Sequence, residues 1–546
     1  MKTNFLKLAT ATLLFAMFFS ACKSKKTNTV GRYIPENAGF VFHINGESLA
    51  SKLPWEEMKK NNAFLDMYQD TSVSAFAKSI MDNPENSGVN VKGDMVAFSV
   101  KDSTESHFSI EGSITDEAKF KKLLAESNKG ATETTKNGYT FSLTEKASVA
   151  YNKDRFIATM ADQNIDYNSF GIDTMLPKKS KADLNKLNEE IIALAENKSL
   201  ALSDKFSKLL LEKGEMHFWI NAEYSGGNTN NAAMGALASM SKLTEGAITT
   251  GTVNFDNGKI NIDAKTYGGK ELTELFSKYN GGSFNKEMLN NIPSKNLAGA
   301  FTFNFKPEGI KAFLKLLALD GVSNLALAKF GFTLDDFIKG NKGDIMFAIS
   351  DLKADAPIMD LNTNYIFAAS INDKTSFNKI IDAGKKAGGA YTQLMPTLNK
   401  VNFAANDKYF ALSSNGNFTN DYLTGKANSN YDFVNKLGDG PMAGFMNLQY
   451  INANMKVNKT DSIEVQQHNL NMKLWDNVLI SGGSFKDDAI NQHWEINMMD
   501  KTTNSLKQLN NYSAEMNLIS KKKKVVDANA WMNEDIVAPQ FKVKNK

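Results

Sequence analysis

Large apolar side chains recur at every second position in short stretches of this chain. Phe40, Phe42 and Ile44 form one such set, and Met216, Phe218 and Ile220 form another. Alternation of this kind marks a half-buried strand, because successive side chains leave a strand on opposite faces. Elsewhere the period changes. Behind Pro307-Glu308 come Ile310, Phe313, Leu314 and Leu317, apolar residues at helical spacing after a proline suited to a first turn. Residues 252–265 read as a hairpin about Asn257-Gly258, a dipeptide that reaches positive φ at low cost. Helices are expected at 116–124, 271–279, 373–381 and 504–512, with Asp116 and Asp373 as N-caps.

These elements compose a unit of strand, helix, hairpin and helix that occurs four times. Dipeptide turns recur and βαβ spacing does not, so the sheets should be antiparallel. The class predicted is α+β, as tandem duplicated domains, each of mainly antiparallel sheet with flanking helices. The case for duplication is a series of matches that keep their order. Ala38-Gly39 is echoed by Ala298-Gly299, Lys92-Gly93-Asp94 by Lys342-Gly343-Asp344, and Ser113-Ile114-Thr115-Asp116 by Ser370-Ile371-Asn372-Asp373. Asn221 and Tyr224 recur as Asn447 and Tyr450, and Ile260-Asn261 as Ile490-Asn491. The expected division is 32–285 for the first repeat domain, 286–520 for the second, and 521–546 for a basic tail opening with Lys521–Lys524. Gly281-Gly282-Ser283 marks the boundary loop, and 178–203 is a polar, helix-forming insertion.

The first residues follow another logic. Lys2 and Lys7 precede an apolar stretch at 8–19, and Phe19-Ser20-Ala21 leads into Cys22. A spanning helix needs roughly 20 apolar residues, so 1–21 reads as a cleavable export signal. Cys22 sits where a lipoprotein's acylated cysteine sits, with Phe19 in the place usually held by Leu. Each buried acyl methylene contributes about 0.8 kcal/mol, so two or three chains would hold the protein on a membrane. Residues 22–31 are then a lipid-anchored polar tether. Lys23, in place of an inner-membrane retention Asp, points to the outer membrane with the body in the periplasm. Cys22 is the only cysteine, which excludes an intramolecular disulfide framework.

Lysine and arginine number 63 against 60 acids, so no net field selects nucleic acid. The chemistry searched for is mostly missing. The histidines (His43, His107, His217, His468, His493) form no His-Glu-x-x-His pair, and no metal site or cofactor is expected. His43 and His217 hold matching places in two strands, each expected to face solvent or a polar neighbour. No Gly-x-Ser-x-Gly elbow occurs, and the Ser-x-x-Lys matches at Ser239/Lys242 and Ser376/Lys379 lack their companion motifs. Glu56-Glu57 and Asp335-Asp336 read as solvated faces or first-turn acids. Residues 360–364 begin like a calcium loop without its required Gly and Glu. The small-residue segment 226–238 suits close helix packing. Asp173-Thr174-Met175 and Asp461-Ser462-Ile463 fit a permissive O-glycosylation pattern.

Behind the Cys22 motif, Tyr33-Ile34-Pro35-Glu36-Asn37-Ala38 runs into Phe40-Val41-Phe42-His43-Ile44. This opening resembles that of a large Bacteroidota envelope lipoprotein family of unknown function. The resemblance implies an address and a tandem layout, and no catalytic residue. The expectation is a non-enzymatic cell-envelope lipoprotein, a binding or scaffolding module held to the membrane through Cys22. A periplasmic carrier of a lipid or other apolar ligand is the alternative, and an unrecognised envelope hydrolase a third.

Overall fold

The computed structural model describes residues 29–101, 106–127, 129–145, 147–161, 181–225, 245–317, 319–353, 364–391, 402–426 and 429–534. Ten strands come from the first half of the chain: β1 (Ala38–Asn45), β2 (Asp94–Lys101), β3 (Ser106–Ser113), β4 (Thr132–Lys136), β5 (Tyr139–Leu143), β6 (Ala147–Tyr151), β7 (Arg155–Ala161), β8 (Met216–Asn221), β9 (Ile248–Asp256) and β10 (Lys259–Tyr267). Eight come from the second: β11 (Leu297–Asn304), β12 (Asn341–Ser350), β13 (Asn364–Ile371), β14 (Asn402–Ala405), β15 (Tyr409–Ser413), β16 (Met442–Asn447), β17 (Trp475–Lys486) and β18 (Ala489–Met498). The hairpin expected about Asn257-Gly258 is β9–β10, with Gly258 at φ +68°. The expected helices form as Glu117–Ser127, Lys270–Tyr279, Lys374–Tyr391 and Ser505–Glu534. Asp116 and Asp373 accept backbone N–H bonds from Lys119 and Ser376 at 3.0 and 2.7 Å, as caps do.

The fold is α+β, but the halves do not keep separate sheets. All the strands join one antiparallel sheet in the order β4-β5-β6-β7-β3-β2-β1-β8-β9-β10-β18-β17-β16-β11-β12-β13-β15-β14. The β10–β18 pair welds the first half to the second. On either side of it the pairing runs alike: β10-β9-β8-β1-β2-β3-β7 outward one way, β18-β17-β16-β11-β12-β13-β15 the other. The ladders also correct the sequence alignment by one residue. Asn45 faces Asp94 and Asn304 faces Asp344, and the bulges fall between Ala38/Phe40 and between Leu297/Gly299. Ala38 therefore stands where Leu297 stands, not where Ala298 does.

One face of the sheet is covered by helices within each half and stays open at the central pair β10 and β18, where Asp263 and His493 are half exposed. In the first half Val41, Val96, Phe98, Ile157 and Trp219 pack beneath Leu200, Phe206 and Leu209. In the second, Ala300, Met346, Ile366, Ala368 and Ala443 pack beneath Met288, Phe418, Tyr422 and Phe433. The face bearing Phe40, Phe42 and Ile44 is the half-buried one, while Val41 and His43 on the other face are buried. Three helices cover it in patches: Phe120 and Leu124 over β3 and β7, Phe377 and Ile380 over β13 and β15, Leu506 and Leu509 over β9, β10 and β18. Beside them an apolar row runs from Trp494 through Ile480, Gly444, Phe301, Phe347, Phe367 and Leu412 to Phe403, exposed at Trp494, Phe301, Phe347 and Phe403.

The final helix runs on through Lys521–Lys524, which the sequence assigns to a tail. Lys521 is ion-paired with Asp66, and Lys522 donates to Gln466 at 2.9 Å, so these lysines pack on neighbouring helices.

Candidate functional site

A row of side chains on the helix-covered face crosses eight strands. It runs Ile157, Glu111, Val96, His43, His217, Thr252, Asp263, His493, each the direct ladder partner of the next. Directly opposed residues of antiparallel strands project from the same face, so the titratable groups among them line up. Past His493 the row continues as Ser481, Ala443, Thr302, Met346, Ala368 and Ala411. The two arms differ sharply in chemistry. Thr302 stands where His43 does, Ala443 where His217 does, and Ala368 where Glu111 does, all at most 1% exposed. The polar arm is therefore not a requirement of the sheet.

Over the part of this arm from Glu111 to His217 lies a cleft of about 870 Å³, with a second lobe of about 280 Å³ that shares Thr29, Val30 and Asp94 with it, while Asp263 and His493 stand outside both. His43 and His217 meet at its floor, 5% and 3% exposed, with Nδ1 to Nδ1 at 3.0 Å. The outer nitrogens are engaged as well. His43 Nε2 lies 3.0 Å from Asp94 Oδ1, and His217 Nε2 lies 2.9 Å from the Glu212 carbonyl oxygen. Two neutral rings hold two protons, one short of these three contacts. The arrangement that satisfies all three has His43 donating to Asp94 and to His217, and His217 donating to Glu212. Burial pulls His217 below its ordinary pKa, and the bond from His43 holds the Asp94 carboxyl below the usual carboxylate range.

Beside the dyad, Asn45 caps the helix Gly46–Lys52, accepting from Ser48 N at 2.9 Å. That turn delivers Ser48 and Lys52 to Glu215, which is 3% exposed. Its carboxylate accepts from Ser48 Oγ at 2.9 Å and Phe255 N at 2.8 Å, and pairs with Lys52 Nζ at 2.9 Å. Glu215 is thus fully occupied. Glu111 in the smaller lobe is the opposite case. It is 7% exposed, no donor among the described residues reaches its carboxyl, and burial pushes it up to about 8 against the opposing pull of Arg155.

Three of the histidines noted in the sequence, His43, His217 and His493, share this row, and the first two touch. Their side chains are buried against each other, a polar neighbour that the strand pattern alone could not supply. His107 lies outside the row, on β3 opposite Val100 and Ala161. Ser376 and Lys379 form no pair, since Lys379 binds Asp336 at 2.7 Å. Glu57 bridges to Lys507 and Asp335 to Lys311. Asp461 is an N-cap, accepting from Ile463 N at 2.8 Å. Cys22, Ser239, Lys242 and the stretches 173–175, 226–238 and 360–363 lie outside the described residues. Among those described, no group of three or more His, Cys, Asp or Glu could hold a metal ion, and no helix is long and apolar enough to cross a membrane. Sequence reasoning passed over Glu111 and Asp94 as site residues. The one available signal was Glu111 breaking an otherwise small and apolar strand, Ser109-Ile110-Glu111-Gly112.

Fold and site together define an open antiparallel-sheet protein with a polar cleft let into one half of its helix-covered face. The chain belongs to the DUF4836 family, a domain of unknown function, whose profile matches residues 31–415 and so takes in His43, Glu111 and His217. No curated protein matches it in sequence. Among solved structures, crystal forms IV, I and III of TP0453 resemble it at TM-scores of 0.24, 0.24 and 0.21, with 10%, 10% and 9% identity. They cover 45%, 46% and 72% of this chain and 83%, 86% and 96% of TP0453. Superpositions this loose transfer nothing about ligand or location.

Proposed function

We propose that this chain is a non-enzymatic envelope lipoprotein, anchored through Cys22, whose two halves arose by duplication and whose first half binds a polar ligand in the cleft. The observation that carries the binding reading is the contrast between the arms of one row. His217, His43 and Glu111 open on a cleft where Ala443, Thr302 and Ala368 close a dry core. Burying polar groups costs free energy that apolar residues avoid, and a chain that keeps them where its other half does without has a use for them. Support for duplication is the matching strand order and the matching bulges.

Support for the anchor is the charged, apolar and small-residue sequence ending at Cys22. Thr29, which lines both lobes, follows Cys22 by seven positions. An extended chain of that length reaches at most about 25 Å, so an acylated Cys22 would hold the cleft close to the bilayer. We assign the body to the periplasm beneath the outer membrane. Against a hydrolase stands the bonding in the cleft: Ser48 Oγ donates to Glu215, and all four ring nitrogens of the dyad face each other, Asp94 or Glu212. Neither ring of the dyad bonds a serine among the described residues, so no serine there has a histidine base.

Labelling cells with radioactive fatty acid tests the anchor. Label is expected in the wild-type chain and absent from Cys22→Ala; an unlabelled wild type would end the lipoprotein reading. An activity-based serine-hydrolase probe should leave the chain unmarked.

A second reading, carriage of an apolar ligand, draws on the apolar row of the other face, where Phe301, Phe347, Phe403 and Trp494 are each about 40% exposed. Exposed aromatics in contiguous array mark contact surfaces. Lipid with brominated acyl chains should quench Trp494, and Trp494→Phe should lose that part of the quenching; equal quenching in both removes this reading.

A further inference from the structure

Among the described residues, Glu111 is the one acid lining the cleft that is both buried and without a hydrogen-bond donor. Asp94 has His43, Glu215 has Ser48, Lys52 and Phe255 N, and Glu212 is ion-paired with Lys265. A buried carboxyl left unmatched costs about 1–3 kcal/mol or more, and the place it occupies tolerates a methyl group, as Ala368 demonstrates in the other half. The carboxyl lines the smaller lobe, together with Asp94 and Arg155.

The charged groups about it are few. On β2 stands Asp94 and on β7 Arg155, whose guanidinium lies 4.4 Å over the Tyr33 ring. The segment leading into β1 brings Arg32, 5.0 Å over the same ring. On β1 and β8 stand His43 and His217, already bonded to each other. Among the residues lining the two lobes, acids (Asp94, Glu111, Glu212, Glu215, Asp256) outnumber the lysines and arginine (Lys52, Lys213, Arg155). Arg155 is the one cationic side chain lining the smaller lobe, and it acts on Glu111 through its charge without a hydrogen bond to the carboxyl.

We propose that the smaller lobe binds a ligand bearing a primary ammonium group, which bonds to the Glu111 carboxylate with Asp94 as the second anion facing it. This deepens the reading of the cleft as a binding site and rests on it. An ammonium brings three N–H donors and a positive charge to a carboxylate that has neither. The remainder of the ligand extends past Asp94 into the larger lobe. Because the empty carboxyl holds its proton up to about pH 8, seating the cation expels that proton. Binding therefore tightens as pH rises, by up to about tenfold per unit below that point.

The test is calorimetric titration of the full chain in mild detergent with putrescine as probe and succinate as the anionic control. Putrescine should bind saturably, releasing close to one proton at pH 6.5 as read from heats in buffers of different ionisation enthalpy. Charge-assisted bonds of this kind are worth about 10- to 100-fold in affinity, so Glu111→Gln and Glu111→Ala should each weaken binding by about that factor and abolish the proton release. Asp263→Asn, outside the cleft, should leave both unchanged. Affinity unaltered in both Glu111 variants, or putrescine binding without proton release, overturns the proposal. Succinate binding in place of putrescine also overturns it, while the cleft stands as a binding site. Binding of neither at about 10 mM, well above the ~1 mM of a weak site, overturns the proposal and counts against the cleft reading as well.

Discussion

Asp263 on β10 and His493 on β18 face each other across the strand pair that joins the two halves, with ring Nδ1 2.8 Å from carboxylate Oδ1. They hold the middle of a ladder running from Lys259 opposite Asn497 to Tyr267 opposite Ala489. The row that carries Glu111 and the histidine dyad on one side, and only Ser481, Thr302, alanines and Met346 on the other, turns about this pair.

The bond from Asp263 raises His493 above its ordinary pKa, with desolvation opposing. The stabilisation is complete below the unfolded-state value near 6.5 and is lost as pH rises through the raised folded-state value. Both side chains are about half exposed, so screening limits the effect to a few tenths of a kcal/mol. A nuclear magnetic resonance titration should find His493 above 6.5 and return it toward that value in Asp263→Asn; no difference between the two would sever the link.

Glu111 reverses the usual behaviour of an acid. Between the ordinary carboxylate range and about 8, the native chain holds a proton that the unfolded chain has released. Stability should fall with rising pH in that window, by at most about 1.4 kcal/mol per unit. Glu111→Gln removes the dependence, so the variant should gain on wild type at pH 8.5 and match it near pH 4.5 in urea denaturation. Parallel stability profiles would show that Glu111 ionises normally in the folded chain.

His43 and His217 should prove replaceable together more readily than singly. His43→Thr or His217→Ala alone strands a buried ring nitrogen and should cost about 1–3 kcal/mol. The double variant reproduces the Thr302–Ala443 pair and should cost less than the sum, by about 0.5–3 kcal/mol of coupling. Denaturation of the four chains measures this, and simple additivity would mean that the rings do not act as a unit.

The two Lys-Gly-Asp sequences should differ in tolerance. Gly343 sits at φ +105°, where an added Cβ would press on the Phe305 carbonyl oxygen, while at Gly93 the nearest atom is the Asn90 side-chain amide. Gly343→Ala should lose about 2–3 kcal/mol, from left-handed strain and the backbone clash. Gly93→Ala, where a side chain can yield, should lose under about 1 kcal/mol. Equal losses would contradict the geometry.

Much of the secondary structure was legible because local rules decide it. Alternation marked β1 and β8, Asn257-Gly258 marked the β9–β10 turn, and Asp116 and Asp373 marked helix starts through bonds that span only three residues. Alternation also told that Val41 and His43 share a face, and that Ser109 and Glu111 do. Which face the helices would cover was not legible. Period two separates the faces of a strand without ranking them, and burial follows from what packs above.

The chain's own order thus determined its strands, turns, caps and internal echoes, each set by neighbours within a few bonds or by repeated pattern. Only the tertiary structure decided that the halves share a sheet through β10 and β18, and that His43 meets His217 from 174 residues away. Only packing, likewise, could leave Glu111 without a hydrogen-bond donor among the described residues. Contacts between distant strands depend on register and on covering helices, and neither is written in any local stretch of residues.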